Sequence, residues 1–362
     1  MRIFNEQSNG LGPGSQSKTA KVYANSLAGT CDVRYMPAVF QPRWLLLLAT
    51  FFFATSCAIQ EGRELKLAHG LPTDHPVHHA MVFMAERTAE LSEGKLTIEV
   101  YPAGQLGSEQ QCVELLQIGS LAITKVSAAA MESFADAYKV FGLPYIFRSK
   151  EHTFSVLDGD VGQDILVSTA DKWIRGLCYY DAGSRSFYTK NKPIHHPDDL
   201  AGLKIRVMQS VTAVEMIRAL GGSATPISWG ELYTALQSGV VDGAENNPPS
   251  LYTSRHYEVC KFYSIDEHTT IPDVLIISQK TWDKLSPQEQ KWIQQAANES
   301  AVLQRELWAE SEELSMREVI AAGVQVNYPD KQPFIDRVQP LLESYQAHAE
   351  IYSYIKRIQA VE

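Results

Sequence analysis

No lysine or arginine cluster interrupts a chain whose formal net charge is −10. Neither nucleic acid nor an anionic membrane surface finds a basic footprint on it. No apolar run reaches the roughly 20 residues needed to span a bilayer. Cysteine is scarce: Cys31, Cys57, Cys112, Cys178 and Cys260 stand far apart, with no C-x-x-C pair. That spacing implies no disulfide framework and argues against a structural zinc site, leaving buried free thiols as the reading for the last three. Enzyme signatures are missing as well: there is no G-x-S-x-G, no Walker loop and no H-E-x-x-H. "GLGPG" (10–14) lacks the final glycine of a nucleotide loop. What remains is an acidic chain of 362 residues, long enough for two domains. In such a field an anionic ligand has to be held by a few focused arginines.

What is present begins with "PRWLLLLATFFFATSC" (42–57). Arg43, an eleven-residue apolar run from Trp44 to Ala54 and small residues ending at Cys57 have the layout of a secretory signal peptide. Such signals start close to the initiator, which puts the expected start at Met36 and makes 1–35 an upstream extension. "ATSC" also fits a lipoprotein cleavage box, so the exported chain is expected either lipid-anchored at Cys57 or cut nearby as an ordinary secreted protein.

Beyond Cys57 strand-like and helix-like segments alternate. "ELKLAH" (64–69), "KLTIEVY" (95–101), "LAITKV" (121–126), "GLCYYDA" (176–182), "LKIRVM" (203–208), "DVLIIS" (273–278) and "VQVNY" (324–328) read as strands. Capping boxes at Ser108/Gln111, Thr212/Glu215 and Ser228/Glu231 open helices that close at Gly119, Gly221 and Gly239. Ser286-Pro287-x-Glu289 opens a helix with no breaker before Gly323, roughly 54 Å long at 1.5 Å per residue. That length spans more than one small domain. The alternation predicts an α/β fold with parallel strands.

The candidate binding residues stand out against this framework. Arg206 alternates with Ile205 and Val207 in "GLKIRV", where it is either a solvated strand position or a buried cation. Arg185 ("GSRSF") and Asn246 ("GVVDGAEN") lie where strands give way to loops. Two arginines and a neutral amide suit a carboxylate, because guanidinium donors match it bidentately and the amide adds no charge. His69 ends the first strand, the edge that faces the ligand crevice in α/β folds. His75, His78 and His79 share three- and four-residue spacing, but no carboxylate or cysteine accompanies them, so they read as helix-start residues and not as metal ligands. Glu109, in the first turn of its helix, has a plain alternative role as a complement to the helix dipole.

From about Glu64 to Val361 the chain resembles the extracytoplasmic solute-binding subunit of tripartite ATP-independent periplasmic (TRAP) transporters, the DctP family. The landmarks are "YPAGQLGSE" (101–109), "FGLPYIF" (141–147), "GSRSF" (183–187), "HPDDL" (196–200), "DLAGLKIRV" (199–207) and "SWGELYTALQSGVVDGAEN" (228–246). The resemblance implies a two-domain periplasmic-binding-protein-like α/β fold with hinge strands and a long domain-spanning helix. It implies Arg206 as the carboxylate partner, with Arg185, Asn246, Trp229 and Glu109 as further substrate-binding residues.

On that basis residues 62–182 and 272–311 are expected to form domain I, and 183–271 and 312–362, with the C-terminal helices, domain II. The implied function is delivery of a carboxylated small molecule to a sodium-coupled permease with a small and a large membrane subunit. The protein would be a periplasmic monomer that uses no cofactor or metal, catalyses nothing and binds no nucleic acid. Monocarboxylates, C4-dicarboxylates, sialic acids and hexuronates all suit the clamp. Glu109 and Asp273, if both face the cleft, would repel a second carboxylate and accept hydroxyl protons, while Trp229 could stack on a sugar face. A hexuronate such as glucuronate or galacturonate therefore leads. A carboxylate-processing enzyme using Glu109 or His69 as base, and a receptor-linked sensor, are the competing classes; the paired acid and base an enzyme needs are not evident.

Overall fold

The computed structural model describes residues 62–362. The signal at 42–57, the start at Met36 and Cys57 lie outside them. Two mixed sheets form the framework. The first contains β1 (Arg63–Ala68), β2 (Leu96–Tyr101), β3 (Ile123–Ser127), β4 (Ile174–Tyr180) and β10 (Asp273–Ser278), in the order β2-β1-β3-β10-β4. The second contains β5 (Arg185–Thr189), β6 (Lys204–Val207), β7 (Ser223–Pro226), β8 (Gly243–Asn246), β9 (Phe262–Thr269) and β11 (Gln325–Asn327), in the order β11-β9-β5-β8-β6-β7.

The strands are not all parallel, as the alternation had predicted. β1 runs parallel to β2 and β3, and β6 to β7 and β8. β10 is antiparallel to β3 and β4, and β5 to β8 and β9. The reason is the route of the chain. It leaves the first sheet through β4, crosses at 181–184 into β5, and returns through β9 and 270–272 into β10. An outgoing and a returning strand lying side by side must oppose each other, so each sheet acquires one antiparallel intruder.

The helices are α1 (Pro76–Leu91), α2 (Glu109–Ile118), α3 (Lys150–Asp158), α4 (Asp160–Val167), α5 (Val211–Ala219), α6 (Trp229–Ser238), α7 (Pro248–Thr253), α8 (Gln279–Trp282), α9 (Pro287–Ala321), α10 (Gln332–Ser344) and α11 (Ala349–Ala360). They cover both faces of both sheets. On the first sheet, Leu67, Ile123 and Leu275 pack beneath α1 and α9, and Val126, Val274 and Ile276 beneath α2 and α4. On the second, Ile205 and Val207 pack against α5 and α10, and Tyr188 and Ala244 against α6 and α7. Charged side chains on the inner strands are out of water only where the helices or the facing sheet cover them: Lys125, Arg206 and Asp273 are buried, whereas Glu64, Lys66 and Lys204 are exposed. Helix α9 carries Ile293, Ala297 and Trp308 into the first core and Val319 into the second. Its 35 residues reach about 52 Å.

The capping boxes at Ser108 and Ser286 form as read, and Gly119 closes α2 in the left-handed region at φ +82°. The box at Thr212 does not form. Ser210 caps α5, and the Thr212 hydroxyl donates instead to Glu132 at 2.5 Å. Ser228 heads α6, but its hydroxyl is engaged with the Glu231 carboxylate and caps no backbone amide. Helix α11, placed by the sequence reading with the second domain, seats Ile351, Ile355 and Ile358 on the core that holds Val140, Phe141 and Ile165, beside the first sheet. The chain crosses back after α10, whose Phe334 and Val338 still belong to the second core.

Candidate ligand-binding cleft

Between the two sheets lies a cleft of about 360 Å³, within the size range of small-molecule sites. One wall comes from the second sheet and offers Arg185, Arg206, Asn246 and Trp229; the other comes from the first and offers Glu109, Lys125 and Asp273.

Arg206 is 2% exposed. Ile205 and Val207 turn to one face of β6 and Arg206 to the other, opposite Ala244 of β8, so it is no solvated strand position. Its Nε donates to the Ile227 carbonyl at 2.9 Å, while Nη1 is buried without a partner. No carboxylate among the described residues forms a salt bridge with it. Burial without an adjacent anion holds its pKa below the ordinary arginine value. Its neighbours are neutral: Trp229, half-buried, places its ring 5.7 Å from the guanidinium carbon. His256, 5.1 Å from that ring, is pushed down to about 3 by burial and by Arg206 itself.

Arg185 has opposite surroundings. Its Nε and Nη2 donate to both oxygens of Glu245 at 2.5 and 3.0 Å, Nη2 also to the Glu245 carbonyl, and Nη1 to Asn246 Oδ1 at 2.7 Å. Burial disfavours its charge, but Glu245 outweighs burial and raises its pKa. Burial likewise works against the Glu245 carboxylate, yet Arg185 and His268 bring it down to about 2. His268 continues the chain, 3.6 Å from Glu245 and 2.9 Å from Asp266. Asn246 Oδ1 also accepts the Asn247 N–H, so two donors fix the amide and leave Nδ2 as its free donor.

On the opposite wall Lys125, 3% exposed, holds two carboxylates together. Its Nζ lies 3.0 Å from Asp273 Oδ2 and 3.3 Å from Glu109 Oε1. The register explains the meeting: Lys125 faces Leu275 and Asp273 faces Ser127, so the lysine and the aspartate are diagonal neighbours on one face of β3 and β10. Glu109, first residue of α2, adds its carboxylate from the side and accepts the Ser127 N–H at 3.1 Å. Burial raises Asp273, Lys125 pulls it back and Glu109 pushes it up, leaving it at about 6. The wall carries one net negative charge and the facing wall one unpaired positive charge.

A buried cation opposite a lysine-bridged pair of carboxylates, in a cleft between two sheets, suits a small polar solute. The model of the DctP family, bacterial extracellular solute-binding protein family 7, matches residues 67–348. The chain belongs to this family. A relative, the uncharacterized protein YiiZ of Salmonella typhimurium, is 38% identical over 325 residues, covering 89% of this chain and 99% of its own. A TRAP periplasmic solute-binding protein of a Bradyrhizobium species, solved with α/β-D-galacturonate, is 43% identical with TM-score 0.80, covering 82% of this chain and 99% of its own. Another from Roseobacter denitrificans, solved with β-D-glucuronate, is 38% identical with TM-score 0.81, covering 83% and 100%. The two-domain fold and the TRAP solute-binding role therefore stand. Solute-binding family 7 is a periplasmic transport family and not an enzyme class, and no described helix is long and apolar enough to cross a membrane.

Within this solute-binding frame one expected site residue moves away. His69 does not line the cleft, although Gly70 and Leu71 beside it do. Its Nδ1 accepts the Leu71 N–H and its Nε2 meets His78 Nδ1 at 3.0 Å, which uses both ring nitrogens. Burial, followed by Lys125 and His78, lowers it to about 3, so it stays neutral. His75 caps α1, as a helix-start histidine should, and also lines the cleft. Among the described residues no three metal-ligating side chains come together. The residue missed from sequence is Lys125. Its signal was available: a lysine in the otherwise apolar "LAITKV", the same anomaly that drew attention to Arg206.

Proposed function

We propose that this protein captures a hexuronate, glucuronate or galacturonate, and hands it to the small and large membrane subunits of a TRAP permease. The observation that carries the reading is Arg206, a buried cation without a carboxylate of its own, set across the cleft from a wall with one net negative charge. In this reading Arg206 takes the ligand carboxylate and Asn246 Nδ2 supports it. Arg185, paired with Glu245, holds Asn246 in place, Trp229 covers a sugar face, and Glu109 and Asp273 accept hydroxyl protons. Hexuronate complexes of family members 38–43% identical to this chain support the ligand class. Glu109 and Asp273, expected to repel a second carboxylate, both pair with Lys125, which offsets one of their two charges. The remaining single negative charge still opposes a second carboxylate.

Ligand would draw the second sheet toward the first through the crossings at 181–184 and 270–272. Domain I would then comprise 62–182, 272–311 and α11, and domain II the remainder. The chain would act as a monomer in the periplasm after removal of the signal at 42–57, with Cys57 as the anchoring residue if lipidated.

Isothermal calorimetry with glucuronate, galacturonate, succinate and malate tests the ligand assignment. Submillimolar binding of either uronate and none of the dicarboxylates is expected, taking about 1 mM as the dividing line. Tight succinate binding with no uronate binding overturns it.

A further inference from the structure

Taking the ligand to be a hexuronate, we infer that Lys125 is a specificity-determining residue, assembling with Glu109 and Asp273 a clamp for the hydroxyls around ligand C2. Lys125 Nζ donates to Glu109 Oε1 at 3.3 Å and forms an ion pair with Asp273 Oδ2 at 3.0 Å, which leaves at least one of its three N–H bonds for a ligand. Asp273 Oδ1 and Glu109 Oε2 have no hydrogen-bond partner among the described residues. The cleft thus meets an acceptor, a donor and a second acceptor side by side.

Two adjacent hydroxyls complement that order. Each donates to one carboxylate oxygen, and one of them accepts from the ammonium. A second ligand carboxylate cannot do this, because it has no proton for either acceptor and could take only the single N–H. A lone hydroxyl would leave one acceptor unanswered, which is costly once the cleft closes.

The position of the clamp decides which hydroxyls it reads. Arg206 and Lys125 lie on opposite walls. A hexuronate bridging them puts its carboxylate, carried on C5, at Arg206. The ring atom across from C5 is C2, so the hydroxyls on C1 to C3 reach the Lys125 wall. C4 adjoins C5 and stays with the arginine side. Glucuronate and galacturonate differ only at C4 and should be accepted alike, whereas mannuronate, the C2 epimer of glucuronate, should be rejected.

Calorimetry on the mature protein with glucuronate, galacturonate, mannuronate and 2-deoxyglucuronate tests this. Wild type should bind the first two within roughly fivefold of each other and the last two roughly 30-fold more weakly. In Lys125→Met, glucuronate should weaken by a similar factor, and its advantage over 2-deoxyglucuronate should fall to about threefold or less. Because that variant leaves two carboxylates facing each other, Lys125→Met/Asp273→Asn is measured beside it and should lose the same discrimination. Mannuronate bound as tightly as glucuronate, or C2 discrimination intact in both variants, overturns the role of Lys125 while the hexuronate reading stands. Failure of wild type to bind any of the four uronates overturns that reading and the clamp together.

Discussion

Arg185 and Arg206 reach one cleft from strands β5 and β6, separated in the sheet only by β8. Both are buried, yet the pKa of Arg185 is raised and that of Arg206 lowered. The difference is one carboxylate, Glu245, which binds Arg185 in a fork and leaves Arg206 with a single backbone acceptor through Nε. A buried charge costs several kcal/mol unless paired. Arg185 meets that cost inside the fold. Arg206 leaves it outstanding, so an anion entering the cleft gains the interaction that the fold withholds. The sheet separates a structural cation from a receptive one by the placement of a single acid.

The sharpest way to break this comparison is to remove Arg185. Arg185→Met leaves Glu245 and His268 in the core, and losing one partner of a buried pair should destabilise the ligand-free protein by about 3–5 kcal/mol. The double variant Arg185→Met/Glu245→Leu should recover most of that loss. Urea denaturation checks both, and a single variant within about 1 kcal/mol of wild type would mean the pair is not structural.

Arg206→Ala should do the reverse. Without ligand the protein should melt no lower than wild type, since a strained cation is gone. Uronate affinity should fall by about 2–5 kcal/mol, at least 30-fold. Arg206→Lys should lose nearly as much, because an ammonium cannot replace the planar fork. Calorimetry showing either variant within about threefold of wild type would shift the carboxylate to another residue.

The two arginines also mark where sequence reading succeeds and where it stops. The landmarks around them were legible because local rules set them: Ser108 and Ser286 cap their helices, and Gly119 and Gly239 end theirs. The long helix predicted over 287–322 spans Pro287–Ala321. Strands β7 (SATP) and β8 (GAEN) were missed because, unlike the equally short KIRV of β6, they carry almost no β-branched or large apolar residues. β9, FYSIDEHT, was missed for a more informative reason. Asp266 and His268 make it look like a loop, yet they are buried parts of the network that anchors Arg185. Lys125 escaped because its partners come from segments distant in sequence, and only strand register brings them together.

The anchoring network gives the comparison a pH axis. Burial pushes His268 down, but Asp266 and Glu245 outweigh it and raise the imidazole to about 9. A raised folded pKa means its stabilisation is complete below the unfolded value near 6.5 and is lost as pH rises through 9. Glu245, at about 2, contributes above about 4.3 and loses its contribution only as pH falls toward 2. The contribution of this network to ligand-free stability should therefore be level from about pH 4.5 to 6.5 and then fall by on the order of 3 kcal/mol by pH 9.5. His268→Gln should be less stable at pH 6 and lack the alkaline slope. A wild-type urea midpoint constant from pH 6.5 to 9.5 would show that His268 is not held protonated.

The smallest expected effect belongs to the opposite wall, where charge is shared and not withheld. Glu109→Gln retains the amide oxygen that Ser127 N–H needs and removes one of the two charges on Lys125. The consequences for the ligand-free protein oppose each other. A helix N-terminus loses its carboxylate, worth about 0.3–1 kcal/mol, and Lys125 loses one of its two anionic partners, while the repulsion between Glu109 and Asp273 disappears. The melting temperature should hardly move. Binding should weaken about tenfold, close to 1.4 kcal/mol, because a hydroxyl then donates to a neutral oxygen. Asp273 adds a second reading. Its ionised form is penalised in the fold, so its contribution to stability is present below about pH 4 and lost as pH rises through about 6. A ligand hydroxyl needs that ionised form, so uronate affinity should rise from pH 5 to about 6.5 and then level off. Glu109→Gln relieves the repulsion that raises Asp273 and should move the midpoint of that rise to lower pH. Calorimetry at several pH values measures both, and an unshifted midpoint would mean that Glu109 and Asp273 do not act as one unit on that wall.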